Sequence, residues 1–246
     1  MSAERAGKGR QPPPRRQLRA SLNADPELAA DRARALALVT VSRETADRLE
    51  RFVAVLLRWQ QRINLIAPST ARTLWTRHIA DSLQLAALAP EARVWADLGS
   101  GAGFPGLVIA CALADVAGVR IHLVETNLKK IAFLREAVRA VDAPAIVHAV
   151  KIEDFAARPP EPIEVIVARA LAPLSKLLRL ASTLLKSGAI GLFPKGQDAA
   201  LELTEAAKCW NIQASLTPSR TDPKAHIVVV RELEPKVEPR RTDDSG

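Results

Sequence analysis

Residues 97–106 read Asp-Leu-Gly-Ser-Gly-Ala-Gly-Phe-Pro-Gly, and the apolar run Val94–Leu98 leads into them. No other segment constrains the fold as strongly. Closely spaced glycines let backbone approach a ligand where a Cβ would collide. Pro105 suits the first turn of a following helix. A strand that passes through such a loop into a helix marks an α/β sheet, and its first strand-to-helix turn is the expected ligand crevice.

The chain beyond Pro90 continues in that grammar. Short apolar runs (121–124, 145–150, 163–168, 189–193) alternate with amphipathic segments at 105–114, 128–141, 174–185 and 199–208. The alternation predicts a mostly parallel sheet covered on both faces. Two last runs, 212–216 and 227–230, have no helix between them, so a terminal hairpin should add an antiparallel strand. Before Pro90 the pattern is helical. Ser42, Thr45 and Asp47 open one helix with Leu49, Phe52, Val53, Leu56 and Leu57 at helical spacing, and a second is expected from Ser69 through Leu88. The expected organisation is a tail (1–24), a helical extension (25–89), a cofactor-binding domain (90–233) and a second tail (234–246).

The net charge of +8 is unevenly spread. Residues 1–24 hold six basic residues against Glu4, and seven arginines lie between Arg43 and His78 against three acids. A basic balance suggests an anionic partner. Arg48, Arg51, Arg58 and Arg62 fall off the apolar face of their helix, either as a solvated face or as nucleic-acid contacts. The proline run 12–14 and the lack of apolar residues make residues 1–24 a disordered tail rather than a transit peptide. Neither a secretory signal nor an uninterrupted apolar stretch of ~20 residues is present. Cys111 and Cys209 are far apart with no CxxC, which fits free thiols in the cytoplasm. No metal site is expected.

Two cofactors compete for the loop. Gly101-x-Gly103-x-x-Gly106 satisfies the dinucleotide fingerprint, with Glu125 about twenty residues on as a ribose acid. Asp97 discriminates, since a carboxylate at that strand end would repel a pyrophosphate. S-adenosylmethionine (SAM) carries an ammonium and a sulfonium and no phosphate, so SAM is favoured over NAD. The alternative role for Asp97 is to cap the loop's own amides. Glu153 and Asp154 suit an adenine amino group, or merely a helix N-terminus.

The methyl acceptor can be narrowed by chemistry. Exocyclic amine methylation usually comes with Asn/Asp-Pro-Pro-aromatic after the fourth strand, where this chain has Ala168-Arg169-Ala170-Leu171. C5 methylation of a pyrimidine needs a nucleophilic cysteine, and neither Cys is placed for it. A ring nitrogen such as guanine N7 is already nucleophilic and needs only alignment and exclusion of water.

Together Asn64-Leu65, His78-Ile-x-Asp81-Ser82-Leu83, the 97–106 loop, Leu123-Val-Glu125, Lys129-Lys130-Ile-Ala-Phe133-Leu134-Arg135, Arg169-Ala170 and Lys195-Gly196 resemble the motif series of the RsmG (GidB) family. Those bacterial enzymes methylate guanine N7 in the 530 loop of 16S ribosomal RNA. The match runs in order from about residue 45 to 232; Lys151 departs from it, standing where the family often has Arg. The resemblance implies a class I SAM-dependent methyltransferase fold: a Rossmann-like, seven-stranded, mostly parallel sheet with an antiparallel terminal strand and an N-terminal helical extension. It implies SAM contacts at Gly99, Phe104, Glu125, Thr126, Ile152, Glu153 and Arg169, joined by Asp97, Gly101 and Gly103 from the loop reading. Asn64, His78, Asp81, Ser82 and Lys195 fall on the side of the ribosomal RNA substrate. Arg169 and Lys195 should face the crevice, unless each is spent on a neighbouring carboxylate. His78 and Asp81 share a helix face, as RNA contacts or as a structural pair. A monomer is expected. The other readings are a SAM methyltransferase with a different substrate and an NAD-dependent oxidoreductase.

Overall fold

The computed structural model describes residues 25–236. The expected tail 1–24, and the part of the closing tail after Lys236, lie outside the described residues.

Helix α1 (Pro26–Leu38) starts at Asp25, whose side chain accepts from the amides of Glu27 and Leu28. Ser42 caps α2 (Arg43–Gln60) by accepting from the Thr45 amide at 3.0 Å. The helix expected over 69–88 is broken. A 3₁₀ turn at Pro68–Thr70 is followed by a π-helix (Trp75–Ala80) that runs directly into α3 (Asp81–Ala86). Two causes are visible. The Thr70 hydroxyl hydrogen-bonds the Ala67 carbonyl, a local partner that competes with helix. Asp31 of α1 then starts the next helix, accepting from the amides of Trp75 (2.8 Å) and Thr76 (3.1 Å).

The sheet is built from β1 (Val94–Leu98), β2 (Arg120–Val124), β3 (Ala145–His148), β4 (Val165–Val167), β5 (Ile190–Lys195), β6 (Trp210–Pro218) and β7 (His226–Pro235), in the order 3-2-1-4-5-7-6. Strands β1 to β5 pair in parallel, and β7 inserts antiparallel between β5 and β6. The final strands exceed their apolar runs, and β7 continues to Pro235. Ladder pairing carries them past the point where hydrophobic alternation stops.

Helices α4 (Gly106–Ala112) and α5 (Leu128–Val141) cover one face together with the N-terminal helices. The other face carries α6 (Ile152–Ala157), α7 (Leu174–Lys186) and α8 (Ala199–Ala206). Leu28, Phe52 and Trp75 share one continuous core with Trp95, Leu107 and Phe133, so the helical extension is packed into the sheet rather than appended to it. Its arginines serve that packing. Arg48 forms a two-pronged pair with Asp115 (2.7 and 2.8 Å), Arg51 donates to the Val141 carbonyl, and Arg58 pairs with Glu136 at 2.6 Å. Three of the four are ties to α5 and the turn after α4, neither a merely solvated face nor free phosphate contacts.

Candidate active site

The C-terminal ends of β1, β2 and β4 open onto a cavity of about 780 Å³. The loop after β1 forms its floor, with Gly99, Gly101 and Gly103 at φ of +72°, +52° and +83°. These left-handed values are why the loop needs glycine. Gly99 and Gly101 line the cavity, whereas Gly103 faces Phe52 and Leu107.

Most amides of the loop are already used. Gly99 and Ser100 both donate to the Val124 carbonyl (2.9 and 3.0 Å), Gly103 donates to the Ser100 carbonyl (2.7 Å), and Gly101 donates to Glu125 Oε2 (3.0 Å). Asp97 is fully buried beneath the loop. Its Oδ2 accepts from the Gly106 amide at 3.0 Å, at the start of α4, while its Oδ1 has no partner. Burial pushes its carboxyl up to about 7, against the pull of the Gly106 and Ser100 hydrogen bonds. Asp97 thus caps the loop and helix from below and does not line the cavity.

Glu125, at the end of β2, is buried, and its Oε1 accepts from the amides of Thr126 (2.7 Å) and Asn127 (2.8 Å). Thr126, Ile152 and Glu153 continue the same wall; Glu153 sits in the first turn of α6. Leu171 and three lysines, Lys130, Lys151 and Lys176, also line the cavity. Sequence reasoning assigned them no role. Only their positions, just after β2, β3 and β4, hinted at one.

The opposite wall comes from the helical layer. Phe104 stacks on His78 (centroids 4.9 Å apart, 22° between planes), and the Arg169 guanidinium lies 5.0 Å over the Phe104 ring. Arg169 also donates to the Arg77 carbonyl (3.0 Å) and to His78 Nδ1 (2.7 Å), and sits 3.5 Å from Asp81 Oδ2. An arginine can only donate, so His78 Nδ1 accepts and its Nε2–H points to Thr70 Oγ1 at 2.9 Å. Burial and the cations of Arg169 and Arg77 push the imidazole down to about 3. With both nitrogens engaged and the ring neutral, His78 is a positioning group and not a proton acceptor.

A second cavity of about 440 Å³ adjoins the first and shares Ala67, His78, Arg169 and Ala170 with it. Asp81 and Lys195 line this one. Asp81 Oδ1 accepts from Gln84 and Thr221. Lys195 Nζ is held by the Ala172 carbonyl and Glu202 Oε2, each at 2.8 Å. Two expected substrate residues lie in neither cavity. Ser82 is fully buried, and its hydroxyl donates to the His78 carbonyl at 2.6 Å, which ties the first turn of α3 to the π-helix. Asn64 is exposed beside the rim, accepting from Gln60. Among the described residues no group of three or more His, Cys, Asp or Glu side chains is arranged to hold a metal ion, and no helix is long and apolar enough to cross a membrane.

Comparison with known proteins gives the fold and the family. A crystal structure described as "a putative O-methyltransferase from Klebsiella pneumoniae" superposes with a TM-score of 0.53 at 11% identity, covering 83% of this chain and 96% of that one, a likeness of fold. The Ribosomal RNA small subunit methyltransferase G of Bradyrhizobium diazoefficiens is 57% identical over 197 residues, 80% of this chain and 76% of the relative. Its namesake in Nitrobacter hamburgensis is 56% identical over 214 residues, 87% and 82% of the two chains. The GidB family model, described as rRNA small subunit methyltransferase G, matches residues 45–228, and the chain belongs to that family.

Proposed function

We propose that the chain transfers the methyl group of SAM to N7 of a guanine in the 530 loop of 16S ribosomal RNA, as a cytoplasmic monomer. Membership of the family carries the reaction class. The amide inventory of the loop carries the choice of cofactor. A dinucleotide's pyrophosphate is normally cradled by such amides and by the following helix N-terminus. Here Val124 and Glu125 hold the amides and Asp97 holds the start of the helix, so an arriving diphosphate would meet carboxylates. The amine and sulfonium of SAM suit the Glu125 side of this surface, and its carboxylate suits the lysines that line the same cavity. This argues against the oxidoreductase reading.

SAM supplies an electrophilic methyl group. Around it, Glu125 would accept the ribose hydroxyls, with Thr126, Ile152 and Glu153 along the adenine side. Gly99 and Gly101 would admit the methionine end, where any side chain would intrude. Phe104 would close the site against water, its ring covered by the hydrogen-bonded His78 and Arg169. Guanine N7 carries its own lone pair, so alignment suffices and no base need be supplied. The fully engaged, neutral His78 is consistent with that economy. Methyl transfer leaves the purine cationic; the crevice carboxylates lower the cost of that charge.

The test is transfer of labelled methyl from SAM by the purified chain to 30S subunits that lack the modification. Label at guanine N7 of 16S RNA is the expected result. Label on another base or another RNA would favour a different substrate, and NADH binding without SAM binding would overturn the cofactor.

A further inference from the structure

Among the described residues three carboxylates line the second cavity, and they are not equally engaged. Asp81 accepts from Gln84 and Thr221 through Oδ1 and lies beside Arg169 through Oδ2. Asp222 takes Arg77 on Oδ2 and the Lys224 amide on Oδ1. Glu202 spends one oxygen only. Its Oε2 accepts from the Leu174 amide (2.6 Å) and from Lys195 Nζ (2.8 Å), while Oε1 bonds to no described residue. Nor is Oε1 buried: the side chain is 29% exposed and lines the cavity.

Lys195, which ends β5, is also incompletely used. An ammonium has three N–H donors, and the Ala172 carbonyl and Glu202 take two of them. The pair therefore presents one donor and one acceptor side by side. Both are held in place, Glu202 by the first amide of α7, which has no partner within its own helix, and Lys195 by the carbonyl it reaches across to. After β4, Ala170 belongs to both cavities, Ala172 holds Lys195, and Leu174 holds Glu202. The pair is thus ordered away from the wall that the two cavities share, across which a methyl group must pass.

Enzymes that modify a base take it out of its stack and read its Watson–Crick edge in a pocket. A guanine with N7 toward the shared wall carries, in order away from N7, the O6 acceptor and the N1–H donor. Lys195 and Glu202 offer a donor and an acceptor in that order. Adenine has an amino donor in place of O6 and a bare ring nitrogen in place of N1–H, so it mismatches both groups. We infer that Glu202 is a base-contacting, specificity-determining residue: Oε1 accepts from N1–H of the target guanine while the spare Lys195 N–H donates to O6. This rests on the guanine-N7 reading above.

The test is binding of the full-length chain to unmodified 30S subunits reconstituted with guanine, hypoxanthine or adenine at the target position. S-adenosylhomocysteine replaces SAM so that nothing turns over. Hypoxanthine keeps O6 and N1–H and lacks only the 2-amino group. Wild type should bind guanine and hypoxanthine within about threefold of each other, and adenine about tenfold or more weaker. Glu202→Gln has the same shape. Its one carbonyl oxygen is claimed by Leu174 and Lys195, so an NH2 group faces the cavity, a donor opposed to N1–H. Its affinity for guanine subunits should fall about tenfold and its preference over adenine vanish, with SAM affinity by calorimetry unchanged. Hypoxanthine as weak as adenine, equal wild-type binding of all three, an undiminished preference in Glu202→Gln, or a parallel loss of its SAM affinity would each overturn the proposal. A wild type that binds SAM but labels no guanine N7 on unmodified subunits would instead remove the guanine-N7 reading, and the proposal with it.

Discussion

The floor of the larger cavity is made by four consecutive residues, Gly99 to Ala102, in a loop whose backbone bonds to itself and to the end of β2. The helical side is made by His78, Phe104 and Arg169, where Arg169 reaches a partner 91 residues away. The first wall is set by local backbone conformation, the second by side chains that meet only when the whole core has assembled. A substitution in the first should act through steric exclusion. In the second it should act through lost partners, and be softer.

The sharpest contrast lies within the first wall. A Cβ on Gly106 would stand 2.6 Å from Asp97 Cβ and from Leu123 Cδ2, between a buried carboxylate and the core. Gly106→Ala should cost about 3 kcal/mol or more in urea unfolding. At Gly101 the nearest atom to a Cβ is 3.7 Å away, so only the left-handed φ is at stake. Gly101→Ala should cost about 1 kcal/mol yet markedly weaken SAM binding, because the new methyl enters the cavity. Equal stability losses would show that the loop is not pinned by Asp97.

On the second wall, Arg169→Met leaves Asp81 and His78 without their buried donor. About 2–3 kcal/mol should be lost, less than for a fully enclosed pair because both side chains keep some solvent contact, and methyl transfer should fall more than tenfold. Asp31 supports that wall from further off. Its carboxylate holds the Trp75 and Thr76 amides and the Thr76 hydroxyl (2.6 Å), and so sets the start of the π-helix carrying His78 and Asp81. Asp31→Ala should cost about 2 kcal/mol, and Asp31→Asn less, since an acceptor remains. If KM for RNA stays fixed in Asp31→Ala while stability drops, the π-helix does not position the substrate side.

Asp97 gives the first wall a pH signature. Its folded value of about 7 lies above the ordinary 3.8, so its stabilising contribution is complete below about pH 3.8 and lost as pH rises through about 7. His78, at about 3, works the other way, losing stability as pH falls below about 6.5, and is silent above that. Between about pH 6.5 and 8 the chain without SAM should therefore lose about 1 kcal/mol through Asp97. Asp97→Asn should flatten that window in unfolding titrations, and an unchanged slope would refute the assignment.

The same division explains what was legible in the sequence. The run of β1 into the glycine loop, the limits of α5 and the Ser42 cap depend on neighbours within a few residues, and the structure has them as read. Asp31 gave no such signal, because an acid on a polar helix looks like any other until a helix start 44 residues on docks against it. Likewise Arg48 and Arg58 read as a charged stripe, and only tertiary packing brings Asp115 and Glu136 to them. Arg169 and Lys195 were placed at the crevice by strand grammar, but their carboxylate partners, Asp81 and Glu202, were not foreseeable from spacing.

The smallest expected effect separates tied cations from untied ones. Lys130, Lys151 and Lys176 line the larger cavity with no ion pair among the described residues, whereas Arg58 of α2 is held by Glu136. A cation that meets RNA phosphate releases counterions, and each such contact to a single strand steepens the salt dependence of binding by about 0.7 in the log–log slope. Lys151→Met and Lys176→Met should each lower the slope by about that amount, while Arg58→Met should leave it where it was. A lysine whose removal changes SAM affinity instead belongs to the cofactor wall, and a slope lowered by Arg58→Met would mean that its tie to Glu136 opens when RNA binds.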